Sequence, residues 1–370
     1  MMKDWTAPES FTGEELNLPV DLSYADNLVI RAGARNLDVV DQLIALGHEI
    51  DPLMRRLLGN EVHKDFAPVV TYQVEMGGKR VRSALALLSC EAAGAERSKA
   101  LLPAAMIELI HNYSLIMDDI IDRGIMRRGK PTVLAKYGET MALLAGMHYR
   151  EVLDEIANEC SKPDEMRTIM IDAIESTIEG ERLDVLFEQA GRDGLYFRRH
   201  HSKTVSMDSY FDMIGKKTAT LIRAACIAGA IAAEAQDAVK DSLGSYGWKV
   251  GLAFQVVDDY LDIFGEKTGK QRGKDIIEHK LGNAVIVFAL EEIEKEKKSR
   301  LLRILRTESV NSTLLKSALK ILEGTTARQK TYDLGQKLVA EGKKSLEYVV
   351  ESDARTSLLE LANFVGNRLY

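Results

Sequence analysis

Ala104-Ala-Met-Ile-Glu-Leu-Ile-His-Asn-Tyr-Ser-Leu-Ile-Met117 runs directly into Asp118-Asp119-Ile120-Ile121-Asp122, and this stretch decides the fold. An apolar run of that length, with no Pro or Gly just before the acids, reads as a helix. At about 3.6 residues per turn the first and fifth aspartates project from one side, and the second lies within reach of the fifth. A second copy, Asp258-Asp259-Tyr260-Leu261-Asp262, follows Val250-Gly-Leu-Ala-Phe-Gln-Val-Val257 and precedes Ile263-Phe264-Gly265. Each copy sets three carboxylates on a surface that otherwise favours burial, where ionised groups are costly unless compensated. One such cluster alone reads as a solvated acidic face, like the charged run from Glu291 to Arg300. Two copies at the same spacing, both in apolar sequence, read as metal sites. Hard oxygen ligands at this density suit Mg²⁺, which keeps waters and reaches substrate phosphates. Two clusters facing each other would clamp a diphosphate between metal ions.

Basic residues bracket both clusters. Gly77-Gly78-Lys79-Arg80-Val81-Arg82 is a flexible turn carrying three cations into the start of an apolar helix. Paired glycines let backbone approach a ligand, and a helix start favours anions. Arg123 and Arg127-Arg128-Gly129-Lys130-Pro131-Thr132 follow the first cluster, and Lys216-Lys217-Thr218 and Gly269-Lys270-Gln-Arg-Gly-Lys274-Asp275 come later. Arg suits bidentate phosphate contacts, while Lys is a mobile point charge. Each basic group alone reads as solvated surface; four of them around two metal-type sites point to a pair of diphosphorylated substrates. His111 alone would read as a core histidine. Its position seven residues before Asp118, two helical turns away, puts it on the same face and favours a ligand role.

In order, spacing and flanking residues, six motifs resemble the trans-type polyprenyl diphosphate synthases, the family of farnesyl and geranylgeranyl diphosphate synthases. They are G-G-K-R-V-R, L-I-H-N-Y-S-L-I-M-D-D-I-I-D, R-R-G-K-P-T, G-K-K-T, F-Q-V-V-D-D-Y-L-D and G-K-Q-R-G-K-D, and the likeness runs from about Leu53 to the C-terminus. The resemblance implies an isoprenoid-synthase bundle with a central active-site cavity. It assigns Lys79, Arg82, His111 and Arg128 to isopentenyl diphosphate, and Arg127, Lys217, Gln255 and Lys270 to the allylic diphosphate. It gives Mg²⁺, up to three ions per site, to Asp118, Asp119, Asp122, Asp258 and Asp262. Asp118, Asp122, Asp258 and Lys217 become the catalytic set. Metals and cations then stabilise the leaving diphosphate, and the double bond of isopentenyl diphosphate attacks the allylic cation. Proton loss regenerates an allylic product, and water must be excluded throughout.

Departures from the family pattern are peripheral: Met147 where Asp is common, Glu181 for a frequent Gln, Ser83 for Pro, and the neighbours of Lys280 in Glu278-His279-Lys280-Leu-Gly282-Asn283. Tyr113 and Ser114, five and four residues before Asp118, stand where the family floors its product shaft. Tyr113 lies about 7–8 Å along the helix from Asp118. An aromatic there argues against chains of thirty or more carbons. The pattern resembles archaeal-type geranylgeranyl diphosphate synthases and implies a twenty-carbon product, with fifteen or twenty-five as alternatives. A terpene cyclase would have one such Asp cluster and lack the second diphosphate's cations, and a non-catalytic partner subunit would have eroded acids or cations.

Seven Pro and 27 scattered Gly give no linker signature in the 370 residues, and 46% apolar content is ample for one large core. Helical periodicity dominates, as over 207–233, 314–322 and 333–350, and strand signals are absent beyond Val-Val-Thr-Tyr at 69–72. The reading is one all-α domain of about a dozen helices over 36–370, preceded by an acidic extension over 1–35 that packs through Trp5 and Phe11. A net charge of −7 speaks against nucleic acid. No apolar run approaches the roughly 18 residues of a membrane span. The extension lacks the core of a signal peptide and the arginines of a transit peptide, and the three Cys are scattered. These features suggest a cytoplasmic protein, and the resemblance suggests a homodimer.

Overall fold

A computed structural model describes residues 34–265 and 272–368, with side chains from residue 40 onward. Trp5, Phe11 and Lys270 therefore lie outside the described residues. Eighteen α-helical segments and one two-residue hairpin, Met126–Arg127 with Lys130–Pro131, make up the chain among those residues. That exceeds a dozen because short helices such as Val133–Tyr137, Leu195–His200 and Lys274–Ile277 stand between the long ones. The Val-Val-Thr-Tyr run is helical too, inside Ala67–Glu75. Its apolar residues are buried against neighbouring helices rather than alternating across a pleat.

The core is a bundle of long helices. Leu101–Ile121 carries the first acid cluster and packs on Glu139–Glu159 and Val81–Ala92. Asp237–Phe264 carries the second and lies between Thr220–Ala232 and Ala327–Ser345. Thr220–Ala232 is rich in Ala and packs flush on Val81–Ala92, which brings the two halves together. The periodic stretch 207–233 is not one helix: a π turn, Gly215–Ala219, separates Met207–Ile214 from Thr220–Ala232. Such bulges re-aim side chains and favour functional positions. Here the bulge carries Lys217. Gly180, on Pro163–Phe187, makes it possible: a Cβ there would sit 2.2 Å from the Lys217 nitrogen.

The helix Arg97–Ile121 is long and apolar enough to cross a membrane by length and composition, but 67% of its apolar window is buried inside the protein. Cys90, Cys160 and Cys226 are free and buried.

Candidate active site

The two clusters sit near the C-terminal ends of their helices, and their aspartates divide the same way. The inner ones turn into protein. Asp119 is 4% exposed, and Arg127 donates to both its oxygens at 2.9–3.1 Å. Asp259 is 3% exposed and accepts from the Tyr210 hydroxyl at 2.6 Å, the Ala284 N–H at 2.8 Å and the Gln255 amide at 3.0 Å. One residue along a helix turns a side chain by about 100°, which carries these two off the site face. Asp119 thus orients Arg127.

The outer aspartates are half-buried or exposed. Asp122 accepts from Arg192 at 2.6 Å, and Asp258 from Arg368 at 2.7 Å. Asp262 accepts backbone N–H groups from Lys274 at 2.9 Å and Asp275 at 3.3 Å, capping the short helix Lys274–Ile277. Burial, together with Glu181, pushes the Asp118 carboxyl up to about 7 against the pull of Lys217 and Arg127. Burial and Asp275 do the same to Asp262, also to about 7. Carboxylates this short of positive charge fit a divalent cation, and their oxygens are the hard donors Mg²⁺ takes. Among the described residues no three acidic, His or Cys side chains close a cage by themselves. Mg²⁺ does not need one, since waters and phosphate oxygens complete its shell.

A chain of opposite charges joins the two halves. Lys217 donates to Asp184 at 2.6 Å, and Lys280 donates to the same oxygen at 3.1 Å. Lys217 also lies 2.6 Å from Glu181 and within the field of Asp118, while Lys280 feels Asp275 beside Asp262. Burial would raise the Asp184 carboxyl, but Lys217 and Lys280 hold it well below the usual range. Gln255 joins through Thr218, which donates to it at 3.0 Å.

Of the residues expected to hold isopentenyl diphosphate, Arg82, His111 and Arg128 gather beside the middle of the first-cluster helix. A Cβ on Gly78 would fall 2.7 Å from an Arg128 nitrogen, so only glycine lets that guanidinium lie on the turn. Burial, then Arg82 and Arg128, hold the His111 imidazole well below its usual value, so it is neutral near pH 7. Arg82 Nε is buried with no hydrogen-bond partner, as a waiting anion contact would be. Lys79 is exposed at the rim. Arg80, grouped with these cations in the sequence, departs from them. It adopts left-handed backbone (φ 49°), and its buried side chain donates to Asp51 at 2.7 Å and the Val74 carbonyl at 2.7 Å.

Tyr113 lies within 3.7 Å of the position a Cβ on Gly146 would take, and Ser114 donates to the His111 carbonyl at 2.9 Å. Sequence reasoning missed Arg192, Arg368 and the pairing of Asp184 with two lysines. No local pattern marks them, because each partner is distant in the chain.

The sequence model of the polyprenyl synthetase family matches residues 63–322. The chain belongs to that family. This polyprenyl synthetase is 35% identical to the short chain isoprenyl diphosphate synthase of Methanothermobacter thermautotrophicus, over 90% of this chain and 99% of that one. Among solved structures it resembles geranylgeranyl pyrophosphate synthetase from Pyrococcus horikoshii, with a TM-score of 0.80 and 28% identity over 90% and 98% of the two chains. It also resembles a polyprenyl synthase from Caulobacter crescentus complexed with calcium and isoprenyl diphosphate, with a TM-score of 0.75 and 27% identity over 88% and 97%. The protein is a prenyl diphosphate synthase, a prenyltransferase acting on isoprenyl diphosphates.

Proposed function

We propose that this synthase is Mg²⁺-dependent and builds geranylgeranyl diphosphate by head-to-tail addition of isopentenyl diphosphate. The observation that carries the reading is the pair of outer-aspartate faces joined through Lys217, Asp184 and Lys280. Asp118, Asp122, Asp258 and Asp262 would hold the metal, with Asp119 behind them holding Arg127. The metal supplies positive charge where the diphosphate leaves. Lys217, Lys280 and Arg127 add fixed cations that need no reorganisation as that charge develops. Arg82, Arg128, His111 and Lys79, brought from two helices and two turns, would orient isopentenyl diphosphate. The relative from Methanothermobacter is named for short chains and the Pyrococcus structure for geranylgeranyl diphosphate, which agrees with Tyr113 as a floor.

Two diphosphates in two pockets make a separable prediction. Lys79→Ala and His111→Ala are expected to raise KM for isopentenyl diphosphate by about tenfold or more, each lost charge-assisted contact being worth roughly 1.5–3 kcal/mol. Lys217→Ala should act mainly on the allylic substrate. Steady-state kinetics with each substrate varied in turn checks this, and equal effects on both substrates would refute two pockets.

Tyr113→Ala should open the shaft and lengthen the product by one or more five-carbon units, read by chromatography of the dephosphorylated alcohols. An unchanged distribution would move the floor to another helix.

We further propose a cytoplasmic homodimer, with a catalytic domain over 36–370 after the N-terminal extension. Leu143, Leu144 and Met147 are 41%, 42% and 66% exposed on one helix, an apolar face that a second copy would cover. A monomeric mass at micromolar concentration with full activity would contradict it.

A further inference from the structure

We propose that a basic surface with apolar tips, beside the first aspartate cluster, docks this synthase on an anionic lipid bilayer. Two segments build it. The first is 192–203, Arg-Asp-Gly-Leu-Tyr-Phe-Arg-Arg-His-His-Ser-Lys, where four Arg and Lys stand against one acid in a chain of net charge −7. The second is 123–130, directly after the first cluster, with four Arg and Lys and no acid. One guanidinium ties the first segment to the end of the cluster: Arg192 donates to Asp122 at 2.6 Å, to the Ile121 carbonyl at 3.0 Å and to Glu188 at 2.6 Å. At its other end the segment is pinned to the helix Pro163–Phe187, where the Ser202 N–H donates to the Leu186 carbonyl at 2.7 Å.

Both segments hold large apolar side chains out to solvent. Leu195 and Tyr196 are 65% and 58% exposed, and Ile125 and Met126 are 71% and 58% exposed. Single exposed apolar residues are ordinary, but two pairs on segments joined by one arginine mark an interaction surface. The one acid, Asp193, is taken by Arg198 at 3.0 Å, while Arg199 and Lys203 are exposed with no ion-pair partner among the described residues. Tyr196 stacks on His200 and Phe197 on His201, with ring centroids 4.5 and 5.3 Å apart, which stiffens the turn. Cations and apolar tips alternate along both segments, without the apolar centre and polar rim of a protein interface. Anionic lipid suits that mixture: headgroups take the Arg and Lys, and the apolar tips enter the boundary between headgroups and acyl chains. Isoprenyl diphosphates, with hydrocarbon tails on anionic heads, collect at the same boundary. The surface stands without the functional reading; only its nearness to the active site rests on Asp122 as a metal-holding residue.

The test is co-sedimentation of the full-length protein with vesicles of phosphatidylcholine, alone or mixed with an equal part of phosphatidylglycerol. Wild type is expected to bind the mixed vesicles about tenfold or more tightly than the neutral ones, and to weaken in about 0.5 M KCl. Arg199→Glu with Lys203→Glu, and separately Leu195→Ser with Tyr196→Ser, should each weaken binding by about tenfold or more. All four positions are exposed, and a thermal unfolding curve matching wild type checks that the variants fold. The proposal is overturned if wild type ignores the mixed vesicles, or if either pair of substitutions leaves binding unchanged. Binding to soluble polyglutamate that matches binding to the mixed vesicles would assign the surface to an acidic protein and overturn it as well. Prenyl transfer assayed without vesicles should be unchanged in both double variants; a loss there would make these residues part of the site rather than a docking surface. No prenyl transfer by wild type would sink the functional reading and leave the vesicle result standing.

Discussion

Asp118→Ala and Asp258→Ala should each lower turnover by about a thousandfold or more, with helix content unchanged. Both residues lie on the site face of their helices, and neither supports the core as Asp119 and Asp259 do. On the proposed reading, removing either carboxylate would take a charged ligand from the place where the leaving diphosphate gathers charge. The other cluster cannot substitute, because the two stand on opposite sides of the Lys217–Asp184–Lys280 bridge. Measured incorporation of isopentenyl diphosphate, beside a far-ultraviolet circular dichroism spectrum, checks both halves of the expectation. Near-normal Mg²⁺-dependent activity in either variant would mean the clamp needs only one cluster.

Asp184→Ala should be the most damaging substitution for stability. The carboxylate is 5% exposed and accepts from Lys217 and Lys280 together. Its removal leaves two largely buried ammonium groups with their main counter-charge gone, and breaking a buried pair in this way costs about 3–5 kcal/mol. That is a large part of a typical folding free energy of roughly 5–15 kcal/mol. The linkage has a definite sign. The folded carboxyl is held below its ordinary value, so the contribution is complete above the ordinary carboxylate range and fades as pH falls through the folded value. Urea unfolding at pH 7 checks the magnitude. A loss under about 1 kcal/mol would show that water reaches the lysines and the bridge is weak.

Much of this was legible in the sequence because it is local. The outer aspartates share a face by helical spacing alone, and His111 joins them two turns away. The Gly77-Gly78 turn was legible as a place of close approach, and Arg128 proves to be what approaches it. The same local pattern misled at Arg80. A cation beside Lys79 and Arg82 looks equivalent to them, yet its left-handed backbone sends it to Asp51 in the core. Asp119 likewise looked like a third ligand until its partner Arg127, beyond a turn, was in view. The π turn at Gly215–Ala219 left no periodic trace, since one inserted residue hardly disturbs an apolar pattern. Arg192 and Arg368 reach Asp122 and Asp258 across 70 and 110 residues, distances over which no spacing rule operates.

The most direct test supplies purified full-length protein with farnesyl diphosphate, radiolabelled isopentenyl diphosphate and Mg²⁺, and separates the products by chain length. The account predicts one labelled five-carbon unit added per primer, a twenty-carbon diphosphate as the main product, and loss of the reaction on chelation. Isopentenyl diphosphate left unconsumed while farnesyl diphosphate is released as a hydrocarbon would contradict it.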